Sequence, residues 1–520
     1  MSSHANGASG VNGHSKPAEP QLHRADEVED LLEAVKSLIV PFIRAADGAA
    51  PSRARGQIAA RERNVLVDAH APEELAKKLL LSLPGGEGRG KEGLLEAVQS
   101  VLKYSVNTWD QGFMDKLYSS TNAVGVISEL LLAVLNTNVH VYTTSPALTV
   151  IEKTTTRHLA SLFGLTGPYA GGLTCPGGSA SNLTSLIIAR NTLYPSTKTA
   201  GNGAHAFAVF TSAHGHYSVE KAAIATGMGS SAVVPVPVDA ATGQMLPSAL
   251  RDAVARARSE GRTPLYVNAT AGTTVLGSFD PLAAIADVCA AHGLWLHVDG
   301  SWGGAAAFSR AHRAKLAGVE RADSVTVNPH KMLNVPLTCS FLLTRDVRVF
   351  RAANTLRAGY LFHTTDDEDS DEKEVWDLAD LSLQCGRRGD SLKLALAWIY
   401  YGASGLEAQV DGAFSTAARL ARLIAADADF RPLLPRDAPP PCLQVCFYYA
   451  PGGVVAEEAA ENTRRTREMV ARLVGRGFMV DYAPGELGSF FRVVVNCQTL
   501  EGTVEGLVVA LKEVGREVVP

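Results

Sequence analysis

Between Gly171 and Asp346, short apolar β-branched runs alternate with helical stretches, and this alternation limits the fold more than any other feature of the chain. The runs fall at 206–211, 233–238, 265–268, 294–298, 324–327 and 340–343, with helical spacing at 179–193, 247–259 and 281–292 between them. Strand, helix and strand repeated in this way close into a mainly parallel, doubly wound α/β sheet with helices on its faces. Ligands of such sheets bind outside the carboxyl ends of the strands, so the residues just after each run are the first to read.

The run 324–327 stops at Asn328-Pro-His-Lys331, which sets a lysine at the lip of the sheet. A lysine there is either a solvated strand terminus or a desolvated amine able to form a Schiff base with a carbonyl cofactor. The run 294–298 ends in Asp299, a carboxylate that caps a turn or compensates a buried cation, such as a protonated ring nitrogen. After 206–211 come His214-Gly-His216-Tyr-Ser218, where an imidazole is either exposed or stacked on a ring; no third ligand supports a metal. Thr270, within Ala269-Thr-Ala-Gly-Thr-Thr274, caps a turn or meets a ring substituent. Pro176-Gly-Gly-Ser-Ala-Ser-Asn182 opens a helix as a glycine turn would, or as a phosphate cup of backbone amides and small hydroxyls. Each signal is weak alone, but together they supply the parts of a pyridoxal phosphate site.

The remainder of the chain sets the surroundings. Its 520 residues, 46% hydrophobic and 19% charged, suffice for a large core. A net charge of -5 gives no general attraction to nucleic acid or to an anionic membrane. No apolar run reaches the length of a spanning helix, so cytoplasmic residence is expected. The seven scattered cysteines read as reduced thiols, and no metal site is expected. Residues 1–21 read as a disordered tail, 22–145 as a helical segment, 146–405 as the large cofactor-binding domain and 406–520 as a small α+β domain. The stretch 366–374 carries seven acids and reads as a solvated loop, although a mobile lid would look alike.

In order along the chain, Pro176 to Asn182, His216-Tyr-Ser218, Ala269 to Thr274 with Asp280-Pro281, His297-Val-Asp299, Asn328 to Lys331 and Gln384-Cys-Gly-Arg387 resemble the group II pyridoxal-phosphate amino-acid decarboxylases. The branch most resembled is that of glutamate and cysteine sulfinate decarboxylases. The resemblance implies a type I aminotransferase-like fold and a homodimer. It further implies that Lys331 carries the cofactor, Asp299 holds the ring-nitrogen proton, and His216 and Ser301 lie against the two ring faces. Ser179, Ala180, Ser324, Asn328 and His330 would hold the phosphate, Thr270 would lie near the ring hydroxyl, and Arg492 would grip the substrate α-carboxylate. The implied activity is decarboxylation of a small acidic L-amino acid of the glutamate, aspartate or cysteine sulfinate type.

Two departures qualify the expected substrate and product. The family's loop tyrosine, thought to return the proton, has no counterpart, since no tyrosine occurs between 361 and 399. His216 or water would then donate it; the alternative is oxidative deamination or carbon–carbon bond formation after CO2 leaves. Lys116 stands where the glutamate branch places a glutamine that reads the side-chain acid, and His140 occupies a position that varies within the family.

Overall fold

The computed structural model describes residues 23–58, 63–79, 83–356 and 374–519. The expected tail 1–21 and most of the acidic loop lie outside them. Two compact units divide the chain, one of residues 1–44 and 69–105, the other of 45–68 and 106–520. In the first, most of the helix Arg24–Arg55 is joined by the helices Pro72–Leu79 and Gly90–Tyr104. Lys91 Nζ lies 2.6 Å from Asp30 Oδ1, and the His70 ring meets Tyr104 edge-on.

Among its described residues the second unit holds two sheets built from twelve strands. They are β1 (Phe113–Met114), β2 (Gly171–Cys175), β3 (Phe207–Ser212), β4 (Val233–Val236), β5 (Thr263–Thr270), β6 (Trp295–Gly300), β7 (Ser324–Val327), β8 (Ser340–Thr344), β9 (Phe430–Pro432), β10 (Gln444–Tyr449), β11 (Met479–Ala483) and β12 (Phe490–Val494). The larger sheet runs β2-β8-β7-β6-β5-β3-β4, parallel from β7 to β4, with β8 alone reversed between β2 and β7. Its central strands are covered on both faces, which is why Val267, Leu296, Val298, Val325 and Val327 form near-continuous apolar runs. Each such side chain, fully buried, contributes about 1.5–3 kcal/mol.

Strand β2, Gly-Gly-Leu-Thr-Cys, has a single β-branched residue, Thr174, beside two glycines, and sequence periodicity gives it no strand range. A Cβ on Gly172 would stand 2.1 Å from the Leu342 carbonyl oxygen, so close pairing with β8 requires the glycine. The smaller sheet, β1-β11-β12-β10-β9, begins with Phe113–Met114, which sequence periodicity leaves in a loop. The expected helices at 390–401 and 406–427 join as Ser391–Ala426, broken at Gly402, whose φ of 68° and ψ of 171° are not helical.

Candidate active site

The register of the parallel strands sets Thr270 level with Asp299, Asp299 with Thr326, and Gly300 with Val327. Strands β5, β6 and β7 therefore end together, and the residues that follow share one edge. The helix Gly178–Leu193 brings its N-terminus there: a Cβ on Gly178 would stand 2.6 Å from Ser301 Oγ and 2.8 Å from Asn328 Nδ2. Gly177 has a φ of 100°, a conformation that admits glycine and few other residues. The first turn presents the Gly178 and Ser179 N–H groups at this edge, while those of Ala180 and Ser181 turn back to the Gly177 carbonyl at 3.0 and 3.1 Å.

Asp299 is buried, and both of its oxygens accept from neutral donors. Oδ1 takes the Ser301 N–H at 3.0 Å and Oδ2 the Asn182 amide at 2.9 Å. Burial opposes ionisation, but these bonds and the nearby His297 and Lys331 win, holding the carboxyl below the usual range. Asn182 Nδ2 also donates to Ser218 Oγ at 2.9 Å, and its Oδ1 lies 3.1 Å from His297 Nε2. His297 Nδ1 in turn meets Ser324 Oγ at 2.8 Å, and Trp295 Nε1 donates to the same hydroxyl. Asn182 thus stands at the centre of a buried polar network beneath the strand ends.

That network corrects one expectation. Ser324 lies at the start of β7, level with His297 and two residues deeper than Asp299. Its fully buried hydroxyl is occupied by Trp295 and His297, which withdraws it from the phosphate set.

Lys331 closes a turn on Asn328, its N–H donating to the Asn328 carbonyl at 3.0 Å. Burial pushes its ammonium below the ordinary lysine value while Asp299 partly offsets the shift, so the neutral, nucleophilic amine is more readily reached than in an exposed lysine. The His330 ring sits with Nδ1 2.7 Å from the Cys339 carbonyl and 3.0 Å from its nitrogen; burial pushes it down to about 4, so it is neutral. Burial also lowers His216, with Asp299 acting the other way. Because the Ser218 N–H donates to His216 Nδ1 at 3.2 Å, the neutral ring carries its proton on Nε2. Thr270 is fixed through its backbone: its N–H donates to Asp280 Oδ2 at 2.7 Å, and Asp280 Oδ1 accepts from Met245.

Asn334, which sequence reasoning passed over, ties the lysine turn to the segment carrying Lys116. Its carbonyl accepts from the Asn122 N–H and the Thr121 hydroxyl, and its amide donates to Ser119 Oγ at 2.6 Å and the Ser120 carbonyl at 2.9 Å. Lys116 Nζ lies 3.0 Å from Asp481 Oδ2 and 2.9 Å from Asp115 Oδ1, the latter contact off hydrogen-bond geometry. Arg492 is buried; Nη1 donates to the Thr274 carbonyl at 2.9 Å and Nη2 to the Asp115 carbonyl and Asp481 Oδ2. His140 bonds locally, Nδ1 lying 3.1 Å from the Asn138 carbonyl and 3.3 Å from Thr144 Oγ1. Arg387, from the Gln384–Arg387 motif, is buried against Glu152, Thr174 and the Val139 carbonyl, where it clamps β2.

These residues fit pyridoxal phosphate. Gly178 leaves a cradle that a side chain would fill, and Asp299 offers a buried carboxylate held ionised by neutral donors. Thr270 Oγ1 and Asn328 Oδ1 are buried without hydrogen-bond partners, and the Asn328 amide, turned over, would present its N–H groups instead.

The chain matches the pyridoxal-dependent decarboxylase conserved domain over residues 72–450. It is 59% identical over 502 residues to L-aspartate decarboxylase dtxS4 of Metarhizium robertsii, covering 96% of this chain and 99% of that protein. With the cysteine sulfinic acid decarboxylase of Rattus norvegicus it shares 37% identity over 457 residues, 86% of this chain and 90% of the relative. The crystal structure of mouse CSAD in apo form superposes with a TM-score of 0.83 at 34% identity, covering 94% of this chain and 99% of that one. That of Oryza sativa TDC with PLP and tryptamine gives 0.84 at 25% identity, covering 96% and 100%.

Proposed function

The chain belongs to the pyridoxal-dependent decarboxylases, a carboxy-lyase family of the type I fold, and on that premise we propose that its substrate is a short acidic L-amino acid, L-aspartate foremost. The observation that carries this reading is the pair of cations, Lys116 and Arg492, joined through Asp481, with Lys116 on the segment tied to the lysine turn and Arg492 donating to that segment at the Asp115 carbonyl. The 59% identical relative named for L-aspartate supports it.

In the proposed assignment, Lys331 holds the cofactor's carbonyl carbon and Asp299 a proton at its ring nitrogen. Ser179, Ala180, Asn328 and His330 hold its phosphate, Thr270 lies by its ring hydroxyl, and His216 and Ser301 lie against its faces. When bound, pyridoxal phosphate supplies a ring that accepts the electron pair left as CO2 departs. Asn182 keeps Asp299 oriented and charged, Arg492 orients the α-carboxylate, and Lys116 meets the side-chain acid. His216 holds a proton on Nε2, within the same network, for return to carbon.

A second copy completes the proposed enzyme. The helix Ala123–Leu135 leaves Ile127, Leu131 and Val134 exposed along one face, an apolar stripe suited to a homodimer contact. Among the described residues no helix is long and apolar enough to cross a membrane, and a cytoplasmic location is proposed, to be checked by cell fractionation.

The test is turnover of L-aspartate, L-glutamate and L-cysteine sulfinate by the holoenzyme, following CO2, amine and oxygen together. Amine equal to CO2 without oxygen uptake is expected. Oxygen uptake with aldehyde would instead favour the oxidative route suggested by the missing loop tyrosine. Lys331→Ala should lose both the yellow colour and turnover, and sedimentation should give twice the mass of one chain. A wild type that releases no CO2 from any of the three acids would refute the substrate assignment.

A further inference from the structure

Between the two cations lies a carboxylate that no sequence argument singled out. Asp481 Oδ2 is 3.0 Å from Lys116 Nζ and accepts from Arg492 Nη2. Since both nitrogens touch one oxygen, they stand no further apart than two hydrogen-bond lengths. Arg492 is fixed from other sides by the carbonyls of Thr274 and Asp115, and its position in β12 pairs directly with Asp481 in β11. Lys116 has no such fixture: its side chain is 46% exposed, and Asp115 and Asp481 set its direction. Both cations keep donors in reserve. Lys116 has three N–H groups, of which Asp481 takes one while Asp115 stands close as a charge, and Arg492 Nε is buried with no acceptor at all.

We propose that Asp481 is a specificity-determining positioning residue, which draws Lys116 towards Arg492 and so forms a short two-cation clamp for an amino acid whose carboxylates are two carbons apart rather than three. The inference rests on the reading that Lys116 and Arg492 meet the substrate. A diacid with one methylene fewer carries its charges closer together, so closely spaced donors satisfy both of its carboxylates. The longer acid must fold back or leave one end poorly paired. A single methylene in a fitted site is worth about 10–200-fold in discrimination. Without Asp481, Lys116 would follow Asp115 or solvent and the spacing would no longer be fixed.

The test uses succinate and glutarate, which carry the two spacings without an amino group, as competitors on the holoenzyme. Binding is read from the perturbation of the cofactor's visible band. The wild type should hold succinate about 10-fold or more tighter than glutarate. Asp481→Asn, nearly isosteric, should bring the ratio below about threefold, as should Lys116→Gln. The double variant should match Lys116→Gln alone, because Asp481 acts through that lysine. A wild type without the preference, or an Asp481→Asn protein that keeps it above about threefold, would overturn the clamp. Turnover separates the clamp from the substrate reading. If the wild type decarboxylates none of the acids yet shows the preference and the variants lose it, the clamp stands and the substrate reading falls. If L-aspartate turns over but the preference survives in Asp481→Asn, the reverse holds.

Discussion

Asn182 shows how one residue can govern a site it does not touch. Its amide supports the Asp299 carboxylate and binds Ser218 Oγ, and its carbonyl meets His297. Asn182→Ala would leave buried polar groups without partners, each costing about 1–3 kcal/mol. Turnover should slow by about tenfold or more while KM changes little, because ring-nitrogen protonation suffers and the substrate cations do not. Asn182→Asp keeps the shape but sets a second carboxylate beside Asp299, and should be worse than alanine. Steady-state kinetics decide the matter, and an alanine variant whose turnover stays within about twofold of wild type removes Asn182 from the positioning set. Asn182 was legible as the last letter of the Pro176–Asn182 motif. Its bond to a residue 117 positions away was not, because periodicity describes faces and not partners. Ser324 behaves in the opposite way: the family resemblance implied a phosphate contact, but a strand advances about 3.3 Å per residue and its first residue lies deep beneath the site.

At the level of elements, the turns after the strands are where sequence spoke clearest. Apolar runs ending in Asp299 and in Asn328-Pro-His-Lys331 marked both edge and chemistry, because a parallel strand covered on both faces changes character abruptly where it leaves the core. Elements lacking that contrast went unread: β2 pairs through glycine, and β1 is two residues long. The anchor of the lysine turn was also hidden. Asn334 has a φ of 53°, a region asparagine tolerates better than most residues, and its amide and carbonyl reach the Ser119–Asn122 segment. Asn334→Gly keeps the backbone conformation and loses only the amide bonds, whereas Asn334→Ala also strains the backbone by about 1 kcal/mol. Urea denaturation should therefore rank the stabilities wild type, then glycine, then alanine. Alanine as stable as glycine would mean that the conformation imposes no strain.

For the whole molecule, the consequence is a pH dependence set by buried imidazoles. Burial pushes His297 and His330 down to about 4, against an ordinary value near 6.5. Between these values the unfolded chain binds more protons than the folded one, so stability rises with pH through that window and is lost as pH falls from about 6.5 towards 4. Each ring accounts for about 3 kcal/mol. Asp280, raised to about 6 by burial, works in the opposite sense between about 4 and 6, as do Asp115, Asp323 and Asp390, which burial also raises; His216 and His312, lowered by burial, act with the two rings, and above about 6 the imidazoles set the direction. The urea midpoint should thus fall between pH 7 and about pH 6, and His297→Gln should lessen the slope by up to about one proton. Parallel curves for variant and wild type would show that His297 is not the group responsible. The fold class and strand-end constellation could be read from sequence because they follow from hydrophobic pattern and motif. The pairing of Lys116 with Asp481, 365 residues apart, belongs to tertiary structure alone.

The reversed strand β8 also bears on how the chain reaches this structure. Val327 pairs with Phe341 across only 14 residues, whereas Gly300 reaches Val327 across 27, and Cys175 reaches Ser340 across 165. Loop-closure entropy grows with the logarithm of length, so joining β7 to β8 costs about 2 kcal/mol less than joining β2 to β8. Lys331 is therefore carried on the most local pairing in the sheet. In the order of folding events, the cofactor's attachment point can be formed before the sheet around it is complete.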